Sequence, residues 1–284
     1  MKIWPLWAEQ LSTNENPLKI NTPLIALAAS DEETKSMQML CLKREHRGLQ
    51  LIEKESDLNL GFEWPVTEFG GLVAHNDGRI DPIQLQKCLR ISIKKLGINQ
   101  ISENVVSIER KSANNSFRWM IEIESGNHYS FDTLVICTAL NSNQLLNSKG
   151  YDFPLEPVLG QVIDLEINHN DYQWCRWPAV LLIHGTNLIP YKENRLLMGA
   201  TLEPGNNASD YSLKEMQCLK GNSPIWLKKA ILKNKWHGLR SKPMNRSAPI
   251  LEVLEPGLIL ATGHYRNGIL LAPATAEWIA RQLN

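Results

Sequence analysis

The stretch LILATGHYRNGILLAPATAEWIA, residues 258–280, decides the fold. Leu258 to Thr262 is a short, almost wholly apolar run, which predicts a strand buried on both faces. Gly263 breaks it. Gly268 opens an apolar-periodic segment that predicts a helix to about Gln282. Strand, glycine, short loop and helix is the geometry that points free backbone N–H groups at an anion or an electron-rich atom. Gly263 and Gly268 let a flat ligand approach the backbone closely. His264, Tyr265, Arg266 and Asn267 lie between them. Taken by itself, the pattern also suits an ordinary strand–helix turn.

Working outward, Leu134–Thr138 (LVICT) is a second run of the same kind, expected to lie parallel to covered neighbours. Strands are expected near 158–166, 179–183, 187–191 and 195–201, and their alternation suggests a half-exposed antiparallel sheet. Three more are expected at about 100–110, 117–124 and 129–137. Thr22–Ala29 reads as a buried strand and Phe69–Val73 as a short one, with Asp77-Gly78 a turn. Ser30 followed by Asp31, Glu32 and Glu33 reads as a helix start running to about Arg47. Asp81-Pro82 caps an amphipathic helix with Leu85, Cys88, Leu89, Ile93 and Leu96 on one face, ended by Gly97. Helices are also expected at 211–219 and 223–234. Residues 1–11 have helical spacing at Ile3, Trp4, Trp7 and Leu11, with no capping residue ahead of them. The expected fold class is α/β (α+β mixed), two kinds of sheet interleaved in sequence.

Composition narrows the function. The chain has 284 residues, 30 basic and 30 acidic side chains, and 43% hydrophobic residues. Such a chain can bury a large core without disulfides or metal. Zero formal net charge argues against a nucleic-acid partner. No 18-residue apolar run predicts a membrane span, and no signal peptide is legible. Five cysteines with no CxxC fit reduced thiols in a cytoplasmic protein. The seven histidines show no zinc-site spacing, so no metal is expected. Glycosylation-type matches at Asn114, Asn207 and Asn245 are then chance occurrences.

Some further residues could carry chemistry. Arg240, in Trp236-His237-Gly238-Leu239-Arg240, could project into a cavity and grip a carboxylate through two parallel hydrogen bonds, or be a surface arginine. His184 and Asn187 flank a strand start, where a histidine could face substrate or be a satisfied, partly buried residue. Lys192-Glu193-Asn194-Arg195 reads as a solvated hairpin turn. No GxGxxG and no Walker A motif occurs.

These pieces, in order, resemble the D-amino-acid oxidase superfamily of FAD-dependent enzymes, and within it most of all the glycine oxidases of thiamine biosynthesis. The resemblance rests on Gly70-Gly71-Leu72, Asp77-Gly78, Ile80-Asp81-Pro82, Leu134–Thr138, Val158-Leu159-Gly160-Gln161, Leu188-Ile189-Pro190, Leu197–Thr201, Gly238-Leu239-Arg240 and, most specifically, Ala261–Pro273. It implies an FAD domain with a parallel sheet (81–148 and 236–284) and a substrate domain with an antiparallel sheet (1–80 and 149–235). It implies that Arg240 clamps the carboxylate of a small amino acid (glycine, sarcosine or a D-amino acid) and that Arg266 assists, with His184 and Asn187 nearby. It implies FAD contacts from Val105, Thr138, Gly263, His264, Tyr265, Arg266, Asn267, Gly268, Ile269 and Leu270. The implied reaction passes hydride from the CH–NH unit to the flavin. The imine then hydrolyses, and molecular oxygen reoxidises the flavin to give peroxide.

The departures are four. Asn187 stands where the family often has tyrosine, Ala139 where it has glycine, Ser241-Lys242-Pro243-Met244 where proline and small residues follow the clamp arginine, and the GxGxxG unit of ~30 residues or more is not present. The chain is therefore expected to be a truncated FAD-binding domain with an exposed sheet edge. The alternatives are a non-catalytic remnant, a homo-oligomer or a subunit whose partner supplies the missing N-terminal unit, and an amino-acid dehydrogenase that passes electrons to a quinone.

Overall fold

The computed structural model describes residues 3–53, 68–113, 116–167 and 174–283. Its largest element is a nine-stranded sheet. Near one end of it Leu155–Glu166 pairs antiparallel with Arg195–Gly199, followed by Thr186–Lys192 and Val180–Ile183. Val180–Ile183 then pairs parallel with Leu24–Leu27, and Gly71–Ala74 and Leu49–Ile52 complete that flank. Apolar side chains on one face make the main core: Ile163, Leu165, Leu181, Leu188, Leu196 and Met198 are each 0% exposed. Trp177, Trp226 and helix Asp210–Gln217 cover it.

A second sheet orders Ile250–Glu255, Leu258–Thr262 and Leu134–Ile136, the last two parallel. Antiparallel strands 105–113, 116–123 and 128–131 form a third sheet that packs against it through Ile108 and Trp119. Helices Trp4–Leu11 and Pro82–Lys95 share a small core with Leu18, and Trp7 reaches Glu277 of the closing helix Gly268–Gln282.

The caps form as the sequence directs. The Ser30 hydroxyl accepts from Glu33 N, and the Asp81 carboxylate accepts from the amides of Ile83 and Gln84. Ile3 provides no side-chain cap for the first helix. Asn114 lies outside the described residues. No described helix is long and apolar enough to cross a membrane, and all five cysteines are free.

Several expectations are corrected. Residues 223–234 are not one helix: Ile225–Lys228 makes a single turn, and Ile231–Pro243 is a 13-residue strand along Leu155–Glu166. Long-range pairing outweighs local propensity there. The 129–137 strand divides at a bend, so His128–Phe131 stays in the antiparallel sheet and Leu134–Ile136 joins the parallel pair. Leu134–Thr138 is not buried on both faces: it is the edge strand of its sheet, and Cys137 and Thr138 are exposed. The helix from Asp31 ends at Lys43 rather than Arg47, because Glu45 and His46 take left-handed φ values. Leu89 and Leu96 of Pro82–Lys95 are exposed, so only the N-terminal part of its apolar face is covered. Arg195 is not part of a solvated turn: its guanidinium makes a two-pronged contact with the buried Asp164 carboxylate, which also accepts from Tyr191 Oη at 2.7 Å. Burial and the hydrogen bond to Asp164 push the Tyr191 pKa up to about 12.

Candidate functional site

Leu258–Thr262 is wholly buried and delivers the chain to the turn at 263–267. Gly263 has φ +63°, and a Cβ there would come within 2.7 Å of Pro243 Cγ, so only glycine leaves the strand this way. The turn is pinned by Tyr265 N donating to Ser241 O at 3.2 Å and Asn267 N to His264 O at 3.0 Å. Asn267 offers no side-chain cap. The first helical bond is Leu271 N to Asn267 O at 2.8 Å, and the amides of Gly268, Ile269 and Leu270 have no backbone partner among the described residues. These unpaired donors carry the positive end of a 15-residue helix.

Pro273 lies inside that helix and has no N–H to give the carbonyl of Ile269. Trp4 Nε1 supplies the missing donor, at 3.0 Å from Ile269 O and 3.1 Å from Leu270 O. The first helix therefore completes the first turn of the last.

The turn lines a cavity on each side. One, of about 470 Å³, is lined by Arg240, Ser241, His264, Tyr265, Gly268 and Thr275, with Cys137 and Ala139. The other, of about 430 Å³, is lined by Arg79, Asn187, Ile189, Arg266, Ile269 and Leu270, with Trp4. Both fall in the size range of small-ligand clefts. Among the described residues neither lining contains an aspartate or glutamate.

Arg240 comes from the strand Ile231–Pro243 and lies over Gly160 of the paired strand. A Cβ on Gly160 would stand 2.2–2.5 Å from the guanidinium atoms, so the glycine is the seat of this arginine. Nη1 donates to Thr201 O at 3.3 Å. Burial, and then the like charge of Arg266, lower the Arg240 pKa, the environment of a cation that lacks its anion. His264 Nε2 meets Thr275 Oγ1 at 2.9 Å, and burial lowers its pKa, favouring the neutral ring. Thr138, Ser142 and Thr262 form a hydroxyl chain ending on the Ala139 carbonyl, with Ala139 at φ +50°.

The structure thus brings Arg240, Gly263–Leu270 and Asn187 to one region, with Ala139, next to Thr138, on the wall of the first cavity. It does not bring His184 there. His184 (φ +49°) and Gly185 (φ +74°) make the two-residue hairpin turn between Ile183 and Thr186. Burial and the Lys220 charge lower its pKa, partly offset by Glu33. Val105 begins a strand of the third sheet, pairs with Ile123 and packs into the second core rather than lining either cavity. Sequence reasoning missed Arg79, Trp4 and the part played by Gly160. Gly160 was legible: a glycine in mid-strand marks a close approach, and it pairs opposite Gly238.

The fold is a large, mostly antiparallel sheet and a small sheet with one parallel pair, sharing a basic cleft at a helix N-terminus. A solved glycine oxidase from Geobacillus kaustophilus shares it, with TM-score 0.83 over 98% of this chain and 75% of that one, at 22% identity. The chain belongs to the family of FAD dependent oxidoreductases (DAO), which matches residues 2–282. It is 30% identical over 215 residues to the bifunctional protein ThiO/ThiG of Synechocystis, covering 74% of this chain and 31% of that one. It is 31% identical over 150 residues to a glycine oxidase of Pseudomonas putida, covering 51% and 40%. The matched stretch is thus under half of the length of either curated relative.

Proposed function

We propose that this chain forms the substrate-facing and flavin-ring-facing part of an FAD-dependent oxidase of small amino acids, glycine, sarcosine or a D-amino acid among them. The observation that carries the proposal is a turn with Arg240 in the cavity on one side and Arg266 in the cavity on the other, no acid lining either among the described residues, beside three helix amides with no backbone partner among them. Its residues fit the ring end of FAD: the amides of Gly268 to Leu270 suit an electron-rich edge, and Gly263 and Gly268 allow close approach. For the diphosphate end, the sequence offers no GxGxxG loop. When bound, FAD supplies the two-electron acceptor.

In this reading Arg240 holds the substrate carboxylate, kept in place by Gly160 and Thr201 O. Arg266 adds charge from the other side of the turn, and Asn187 offers an amide to the substrate. His264, held neutral, keeps a further positive charge out of the wall that already carries Arg240. Residues 1–80 with 149–235 serve as the substrate domain, and 81–148 with 236–284 as the remainder of the FAD domain. The strand Ile231–Pro243 runs through the 235/236 boundary and joins them. A cytoplasmic setting suits the free thiols. A second reading, a subunit completed by a partner, draws on the lack of GxGxxG.

The test is the visible spectrum of the chain after incubation with excess FAD and desalting. Retained flavin, bleached by glycine or D-alanine with peroxide formed in air, is the expected result. Dye reduction without peroxide would point to a dehydrogenase. A folded, colourless protein would overturn the self-sufficient reading, and co-purification with a GxGxxG-bearing chain that restores colour would establish the second.

A further inference from the structure

Beside the seat of Arg240 lies a buried polar cluster that this reading leaves unused. Gln161, Thr201 and Glu203 are 5%, 8% and 5% exposed. Glu203 sits on the short strand Glu203–Pro204, which pairs with Leu155–Glu166 at Leu159. Its Oε1 accepts from Thr201 Oγ1 and from Gln161 Nε2, the latter at 2.9 Å, and its Oε2 accepts from Ser209 N at 2.6 Å. Among the described residues no basic side chain makes an ion pair with it. Burial alone would raise its pKa, but these bonds and the charge of His237 outweigh it and hold the carboxyl below its ordinary value. Glu203 lines neither cavity of the turn.

A carboxylate buried without a countercharge is costly unless hydrogen-bond donors satisfy it. Here two of the donors belong to residues that flank the contacts of Arg240. Gln161 follows Gly160, over which the guanidinium lies, and Thr201 supplies the carbonyl that accepts from Nη1. The two residues are also tied to each other. Gln161 N donates to Thr201 Oγ1 at 2.8 Å, and Thr201 N donates to Gln161 O at 3.2 Å. The Thr201 hydroxyl gives its own hydrogen to Glu203, so the carboxylate fixes which way that hydroxyl points. One buried anion thus sets the spacing between the glycine seat and the carbonyl.

We infer that Glu203 is a positioning residue for substrate binding: through Thr201 and Gln161 it holds the Arg240 guanidinium where a carboxylate can meet it. The inference rests on the carboxylate-clamp reading of Arg240 above. Glu203→Gln would turn one oxygen into a donor, so that either Ser209 N or the Thr201 and Gln161 side would lose its acceptor. Thr201→Val removes the hydroxyl link itself.

The experiment takes the full chain, with FAD present, and reads two quantities. One is the rate at which phenylglyoxal modifies Arg240, followed by peptide mass mapping. The other is glycine affinity by titration calorimetry. In Glu203→Gln and in Thr201→Val, Arg240 should react several-fold faster, and glycine should bind roughly tenfold more weakly. Thr201→Val carries the test should Glu203→Gln not fold. Glu203→Asp, which keeps two acceptor oxygens, should recover part of both effects. Leu196→Ala, at a core position of the same sheet with 0% exposure, should lower stability and leave both readouts at their wild-type values. Wild-type readouts in Glu203→Gln and Thr201→Val, or equal changes in Leu196→Ala, would overturn the inference and leave the clamp standing. Faster modification with unchanged affinity would overturn it as well, because the guanidinium would then be freed without consequence for the ligand. Glycine binding that is absent from the wild type, or unaffected by Arg240→Met, would remove the clamp and this inference with it.

Discussion

The two sheets that meet at the cleft close their cores differently. The nine-stranded sheet has its inner face sealed by Trp177, Trp226 and helix Asp210–Gln217, and the strand residues Leu165, Leu188 and Met198 have no exposure at all. The parallel pair is sealed on one strand only. Leu258–Thr262 is fully buried, while its partner strand emerges at Cys137 and Thr138 into exposure. Between them runs Ile231–Pro243, buried at Ser241 and Pro243 but exposed from Ile231 through Leu239, with Trp236 44% exposed. Packing is complete where the molecule needs only stability. It is left open where the chain presents arginines, glycines and helix amides.

That contrast can be broken by mutation. Leu188→Ala, in the sealed core, should cost about 2–5 kcal/mol in urea unfolding. Trp236→Ala, on the exposed strand, should cost well under about 1 kcal/mol. Equal costs would mean that the strand is covered in solution.

Gly160→Ala should lower glycine affinity by roughly tenfold, about 1.4 kcal/mol, because the new methyl displaces the Arg240 guanidinium. Titration calorimetry reads the change, and an unchanged affinity would show that Arg240 does not need this seat. At Ala139, the φ of +50° is costly for any residue with a Cβ. Ala139→Gly should therefore raise stability by about 0.5–1 kcal/mol, net of the freedom glycine adds to the unfolded chain. A loss in thermal unfolding would show that the turn carries no such strain.

The smallest expected effect is on pH dependence. His264 and His184 both have pKa values lowered by burial. The folded protein thus favours their neutral forms, and their contribution to stability is intact above the unfolded histidine value of about 6.5. It is lost as pH falls from there toward the lower folded values. Melting temperature should decline more steeply with acid in the wild type than in His264→Gln, and parallel curves would contradict this.

Much of the fold was legible because its signals are local. Ser30 and Asp81 announce their helices, and Gly263 and Gly268 mark the turn by the freedom each provides. The errors share one physical origin. Residues 231–234 look helical in isolation and become strand only because Leu155–Glu166, distant in sequence, offers its edge. Leu134–Thr138 has the composition of a doubly covered strand, but composition does not say how many neighbours a strand has. His184 was misplaced because a lone histidine before glycine reads as a ligand residue as readily as a turn. Arg79 was passed over because a buried, unmatched arginine looks the same in sequence as an exposed one.

The hydrogen bond from Trp4 to the Ile269 and Leu270 carbonyls has a consequence for how the molecule is made. Ribosomes release the chain from its N-terminal side, so Trp4 emerges long before Pro273. Until the closing helix is free to dock, that indole has no carbonyl to serve and the cleft has no floor. The large sheet can close earlier, since its last strand ends at Pro243. A nascent chain would thus carry a finished core and an unfinished cleft, and the ligand-facing turn would take shape after the large sheet.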